Sequence, residues 1–146
     1  MKKIILSLFI LAAGVTSAFA NDDTKVSEKV KSAFSKDFSS AKNVTWKQDG
    51  EFLKASFTIA DMLTNAYYNE DGELLGSARN LSFEQLPLSV IHEFNKRFDG
   101  SSVISITEIT NGEGTSYRIW AEKDERKFKV SATSQGELAI LEKSKK

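Results

Sequence analysis

The sequence predicts an α+β fold: a tandem duplication of one helix plus a four-stranded antiparallel meander, with the helices packed on one face of the sheet. Three observations carry this. Phe34, Phe38, Val44 and Trp46 recur as Phe94, Phe98, Ile104 and Ile106, each 60 positions on. After each Phe pair the apolar spacing changes from four to two, as it must where a helix gives way to strands. Turn signals rich in Gly, Asp and Asn then punctuate the chain at roughly ten-residue intervals.

The first unit opens with Val26, Val30, Phe34 and Phe38, four residues apart among charged and small polar positions, the pattern of a one-sided amphipathic helix. Asp22, Asp23 and Thr24 offer its N-cap, and acids there suit the helix dipole. Beyond Phe38, Val44, Trp46 and Gln48 alternate with Thr45 and Lys47. Asp49-Gly50 is a hairpin signal. "EFLKASFTIA" then sets Leu53, Ala55, Phe57 and Ile59 on one side, and the chain turns near Asp61. "TNAYYN" returns with Ala66 and Tyr68 facing one way, and "EDG" leads into "ELLGSA".

The second unit follows "LSFEQLP", where Ser82 precedes Gln85 by a capping-box spacing and Pro87 suits a first helical turn. Val90, Ile91, Phe94 and Phe98 form the apolar stripe, and Asp99-Gly100 closes the helix. Four β-type runs follow, "SVISITEIT", "TSYRIWAE", "RKFKVSAT" and "GELAILE", separated by "NGEG", "KDER" and "SQG". "DGELL" and "QGELA" match at an offset of 64, so the extra four residues fall in hairpin loops, where insertions do least harm. One helix on four short strands buries little surface at about 60 residues; two such units can extend one sheet and share apolar surface between their helices. The expected division is a signal peptide over 1–20, a first repeat over 21–80 and a second over 81–146, together one compact domain.

Lys2 and Lys3 form a basic head, Ile4 to Ala13 an apolar run, and Ala18-Phe19-Ala20 a small-x-small pattern before Asn21. These are the parts of a secretory signal cleaved near Ala20, which places the protein in the periplasm or the medium. The apolar run is too short for a spanning helix, which takes about 20 residues, so no membrane insertion is expected after cleavage. The sequence holds no cysteine, hence no thiol for lipidation or disulfides. Loss of Lys2 and Lys3 with the signal leaves 126 residues carrying 18 Lys+Arg and 20 Asp+Glu, a net charge of −2. A balance this near neutral offers no basic field for a polyanion, so nucleic-acid binding is not expected.

The pattern Phe34-x3-Phe38-x5-Val44-x-Trp46, together with Ala55-Ser56-Phe57, "AYYNEDGELL" and "LP" at 86–87, resembles the PepSY-like, β-lactamase-inhibitor-like family of small exported bacterial proteins. The resemblance covers nearly all of residues 25–143 and rests on core and turn positions. It implies tandem units whose helices cover one face of an antiparallel sheet while, in the inhibitor relatives, the other face contacts an enzyme. For this chain it implies an exported protein that binds a protein or peptide; fold-level likeness transfers no partner.

Residues suited to chemistry are few. The single histidine, His92, lies inside the second helix beside Glu93, and without Cys it cannot supply a zinc ligand set. The acidic groups Asp49/Glu51, Glu70/Asp71/Glu73 and Asp124/Glu125 fall on turns, which favour such residues for backbone reasons. "NEDGE" at 69–73 lacks the alternating ligands and distal Glu of a calcium loop and allows only opportunistic calcium contact. No phosphate-cradling glycine loop is present. The expectation is a non-enzymatic protein with no cofactor.

What remains is the sheet face away from the helices. If Val44, Trp46, Ala55, Phe57, Ala66, Tyr68, Ile104, Ile106, Tyr117, Ile119, Phe128 and Val130 point toward the helices, alternation sends Lys47, Lys54, Tyr67, Arg118, Trp120, Lys127 and Lys129 outward, with Phe52 at a strand start. Aromatic side chains among Lys and Arg on an exposed face match the composition of binding hot spots. Phe52, Tyr67, Arg118 and Trp120 are the candidate partner-binding residues. Two other readings stand beside this one: a structural or envelope-stress protein without a dedicated site, and, as an outsider, a hydrolase built on His92 or the acidic turns.

Overall fold

The computed structural model describes residues 25–143. The predicted signal segment, and the expected Asp22–Thr24 cap, lie outside the described residues. In chain order the elements are α1 (Glu28–Asp37), β1 (Lys42–Asp49), β2 (Phe52–Ile59), β3 (Met62–Tyr68), β4 (Leu74–Leu81), a 3-10 turn (Phe83–Gln85), α2 (Leu88–Arg97), β5 (Ser102–Asn111), β6 (Gly114–Lys123), β7 (Arg126–Thr133) and β8 (Leu138–Lys143). The strands form one antiparallel sheet in the order β1 to β8, each hydrogen-bonded to its sequence neighbours.

Local chemistry explains the element ends. Ser27 is the N-cap of α1, its Oγ accepting from the Val30 amide at 3.3 Å. The Ser82–Gln85 pair, expected to start the second helix, instead closes the separate 3-10 turn: Gln85 Oε1 accepts from the Ser82 amide at 2.8 Å. Pro87 then caps α2, one residue before its first turn. Asp49 pairs with Phe52, so the first hairpin loop is Gly50-Glu51. Ala60-Asp61 and Asp124-Glu125 form two-residue loops with both φ angles positive, the conformation whose twist matches that of paired strands.

Both helices lie on one face of the sheet, and the core forms two clusters, one under each helix. The first gathers Val26, Val30 and Phe34 over Leu53, Ala55, Phe57, Ala66 and Tyr68. In it the Phe34 ring meets Phe57 edge-on at 5.0 Å between centroids and Trp46 at 5.3 Å. The second gathers Leu86, Val90 and Phe94 over Ile106, Tyr117, Ile119, Ala121, Phe128, Val130 and Ala132. Apolar surface shared between the two helices was expected. Instead the clusters stay separate, and Leu81 at the end of β4 is the first-half strand residue that packs against the second. At the β4–β5 seam the covered face carries an ion pair, Arg79 with Glu108.

Ten of the twelve residues expected to face the helices lie on that side. Val44 and Ile104 do not: they are 37% and 53% exposed. Each stands at a register shift, between Lys42 and Thr45 in β1 and between Val103 and Ser105 in β5. A bulge inserts a residue and breaks strict alternation, so Val103 packs against the core in place of Ile104.

Candidate binding surface on the uncovered sheet face

Directly paired residues of neighbouring strands share a face, so the register assigns the uncovered side row by row. Lys54 pairs with Tyr67 and Tyr67 with Gly76. Ser56, Asn65, Ala78, Ile109 and Ser116 form the next row, and Thr107, Arg118 and Ser131 the one after. Trp120 pairs with Lys129, which pairs with Glu142. Phe52, 44% exposed, starts β2 on this side.

A depression of about 470 Å³ lies on this face across the β4–β5 seam. Its lining includes Phe52, Tyr67, Leu75, Ile109 and Arg118, with Gly76 and Ala78 leaving depth where larger side chains would stand. The glycine is set by the backbone: a Cβ there would lie 2.8 Å from the Thr110 carbonyl oxygen. A register shift between Tyr67 and Tyr68 makes room for Leu75 at the rim.

Three of the four sequence-predicted residues therefore meet in one place, and Trp120 does not join them. It is the next outward position along β6 from Arg118, half-buried, with Lys129 Nζ 4.4 Å from its ring centre and Lys129 bonded to Glu142 at 3.1 Å. Leu75, Gly76, Ala78 and Ile109 were missed by sequence reasoning. Their signal was the small-residue run Gly76-Ser77-Ala78, which marks a hollow only once β5 is known to lie beside it.

The uncovered face differs in charge from the rest of the molecule. Strand register places Lys42, Lys47, Lys54, Arg118, Lys127 and Lys129 on it, against Asp49, Glu122 and Glu142. Six basic residues against three acidic ones give +3, whereas residues 25–143 as a whole carry 16 Lys+Arg and 18 Asp+Glu. Lys54 lies 3.8 Å from Asp49. The Arg118 side chain has neither a hydrogen bond nor an ion pair among the described residues.

The other candidate chemistry is dispersed. His92 points to solvent from α2, its side chain 75% exposed and Nε2 3.8 Å from Glu93 Oε1. In the 69–73 loop, Asn69 Oδ1 accepts from the Glu73 amide at 2.9 Å, its amide nitrogen donates to Glu73 Oε2 at 3.1 Å, and Asp71 pairs with Lys29 at 3.0 Å. These carboxylates serve the turn and the α1 contact. Among the described residues no cluster of three or more His, Cys, Asp or Glu could hold a metal ion, and no helix is long and apolar enough to cross a membrane.

No protein-family profile and no curated protein matches this chain. Several solved structures share its fold. A BLIP-like protein of Bacteroides fragilis superposes with a TM-score of 0.73 at 19% identity, covering 85% of this chain and 91% of that one. A presumptive periplasmic protein of Bacteroides eggerthii gives 0.70 at 21% identity over 82% and 88% of the two chains. A DUF2874-family protein of Bacteroides ovatus gives 0.70 at 23% identity over 80% and 85%. At these identities the likeness is one of fold: an α+β, BLIP-like architecture of two helices on one antiparallel sheet. It agrees with the β-lactamase-inhibitor-like part of the sequence resemblance, while the PepSY-like label finds no matching profile.

Proposed function

We propose that this chain is an exported, periplasmic, non-enzymatic binding module that docks a protein or peptide partner on its uncovered sheet face. The observation that carries the reading is the convergence of Phe52, Tyr67 and Arg118 around one hollow on the face the helices leave free. A basic, aromatic-bearing surface with an apolar centre has the composition of a protein-docking site. The Ala18-Phe19-Ala20 signal pattern and the periplasmic description of the Bacteroides eggerthii relative support the compartment. The BLIP-like description of the Bacteroides fragilis structure supports a binding role over catalysis.

The architecture is, on this reading, a tandem duplication over residues 21–80 and 81–146. α1 and α2 begin 60 residues apart, and β2, β3 and β4 precede β6, β7 and β8 by 62, 64 and 64. Gly72 lies under the Lys29 carbonyl and Gly136 under the Ser89 carbonyl, the same contact at offsets of 64 and 60. Fusion of two such units creates the β4–β5 seam, and the hollow with it.

The test is affinity capture from the protein's own cell envelope by the chain beginning at Asn21, in wild-type and Tyr67→Ala/Trp120→Ala forms. Saturable capture of one partner, lost in the double variant with the thermal midpoint kept, supports the reading. Capture indifferent to both substitutions, or nothing saturable, returns the protein to the structural or envelope-stress alternative.

A further inference from the structure

We infer that the hollow at the β4–β5 seam receives an acidic-apolar segment of a polypeptide partner: an aliphatic or aromatic side chain among Phe52, Tyr67 and Ile109, and a neighbouring Asp or Glu carboxylate on Arg118. The inference rests on the docking reading above and names the chemistry its central contact takes.

The lining has two parts. Phe52, Tyr67, Leu75 and Ile109 present apolar surface around a volume of about 470 Å³, ample for one large side chain. Arg118 is the charged residue of the lining, and its guanidinium is unengaged among the described residues. Two other cations of this face already have carboxylates, Lys54 from Asp49 and Lys129 from Glu142. A guanidinium offers donors in a planar fork that matches a carboxylate, and apolar walls beside it lower the local dielectric and strengthen the pair. The face is net basic on a chain that is net acidic, which favours an acidic partner and disfavours a basic one. A polyanion such as nucleic acid would call for a track of cations along its phosphates; here one cation stands beside an apolar hollow.

The test is a titration of the 15N-labelled chain beginning at Asn21 with N-acetyl-Leu-Glu-amide and N-acetyl-Leu-Gln-amide, followed by amide NMR shifts. The glutamate peptide is expected to shift Gly76, Ala78, Ile109 and Arg118 and to bind about fivefold more tightly than the glutamine peptide, the strength of a partly exposed charge pair. Arg118→Gln, at an exposed position, is expected to abolish that preference while leaving the rest of the amide spectrum in place. Equal affinity for the two peptides overturns the carboxylate assignment. Shifts confined to Trp120 and Lys129 overturn the hollow as the contact and leave the docking reading standing. No shift anywhere on the uncovered face overturns this inference, and the envelope capture then decides the docking reading by itself.

Discussion

Arg79 donates from Nε to Glu108 Oε1 at 2.6 Å, the two residues standing opposite each other where β4 meets β5. The pair lies on the covered face, in line with the buried Thr64 and Tyr117, and joins the two halves between their separate apolar clusters. The Glu108 side chain is 16% exposed and Arg79 37%, so solvent screens the pair in part. Arg79→Met, which strands Glu108, is expected to cost about 1–2 kcal/mol in urea unfolding. Adding Glu108→Leu is expected to restore most of that loss, since the stranded carboxylate goes with it.

The two turn glycines under the helices make a graded prediction. Gly136 has φ +93, and a Cβ there would lie 2.8 Å from the Ser89 carbonyl oxygen; Gly72, φ +78, would meet the Lys29 oxygen at 3.3 Å; Gly50, φ +63, would meet nothing within 4 Å. Alanine at Gly50 should cost about 1 kcal/mol, the left-handed backbone penalty alone. The losses should rise from Gly50→Ala through Gly72→Ala to Gly136→Ala, read as falling thermal midpoints. Equal losses would mean that contact with the helix carbonyls contributes nothing.

Buried Tyr68 donates its hydroxyl to Asp37 Oδ2 at 2.9 Å, tying β3 to the end of α1. Burial first, then the hydrogen bond and charge of Asp37, push the phenol well above its ordinary range in the folded state. A raised folded value means the contribution is complete below the unfolded tyrosine pKa, about 10, and is lost as pH rises beyond it. Tyr68→Phe should therefore cost about 1 kcal/mol at neutral pH. The gap between wild type and variant should shrink above about pH 10. Denaturant midpoints across pH 7–11 check both.

Ala60 and Asp61 hold positive φ angles of 48° and 60° without being glycine. Ala60→Asn/Asp61→Gly supplies the residues this loop prefers and should raise stability by about 1 kcal/mol. A lower thermal midpoint would show that the Ala60 methyl makes packing contacts worth more than the strain it costs.

Much of the fold was legible because periodicity reports burial directly. The Phe34/Phe38 and Phe94/Phe98 spacings located both helices, and Ala55-x-Phe57, Ala66-x-Tyr68 and Tyr117-x-Ile119 gave the right strand phase. Val44 and Ile104 misled because a bulge shifts register without leaving a glycine or proline in the sequence. The Ser82–Gln85 box was a true cap, but of a 3-10 turn one step before the helix, which composition cannot separate. The surface was only half legible. Alternation sent Phe52, Tyr67, Arg118 and Trp120 outward, yet which of them meet depends on pairing between β4 and β5, separated in sequence by a whole helix.

The docking face is tested most directly by photo-crosslinking in intact cells, with p-benzoylphenylalanine placed at Ser116 on the uncovered face or at His92 on α2. A discrete adduct from position 116, absent from position 92 and weakened by Arg118→Gln, is the predicted result. Adducts from the helix position alone would contradict the account.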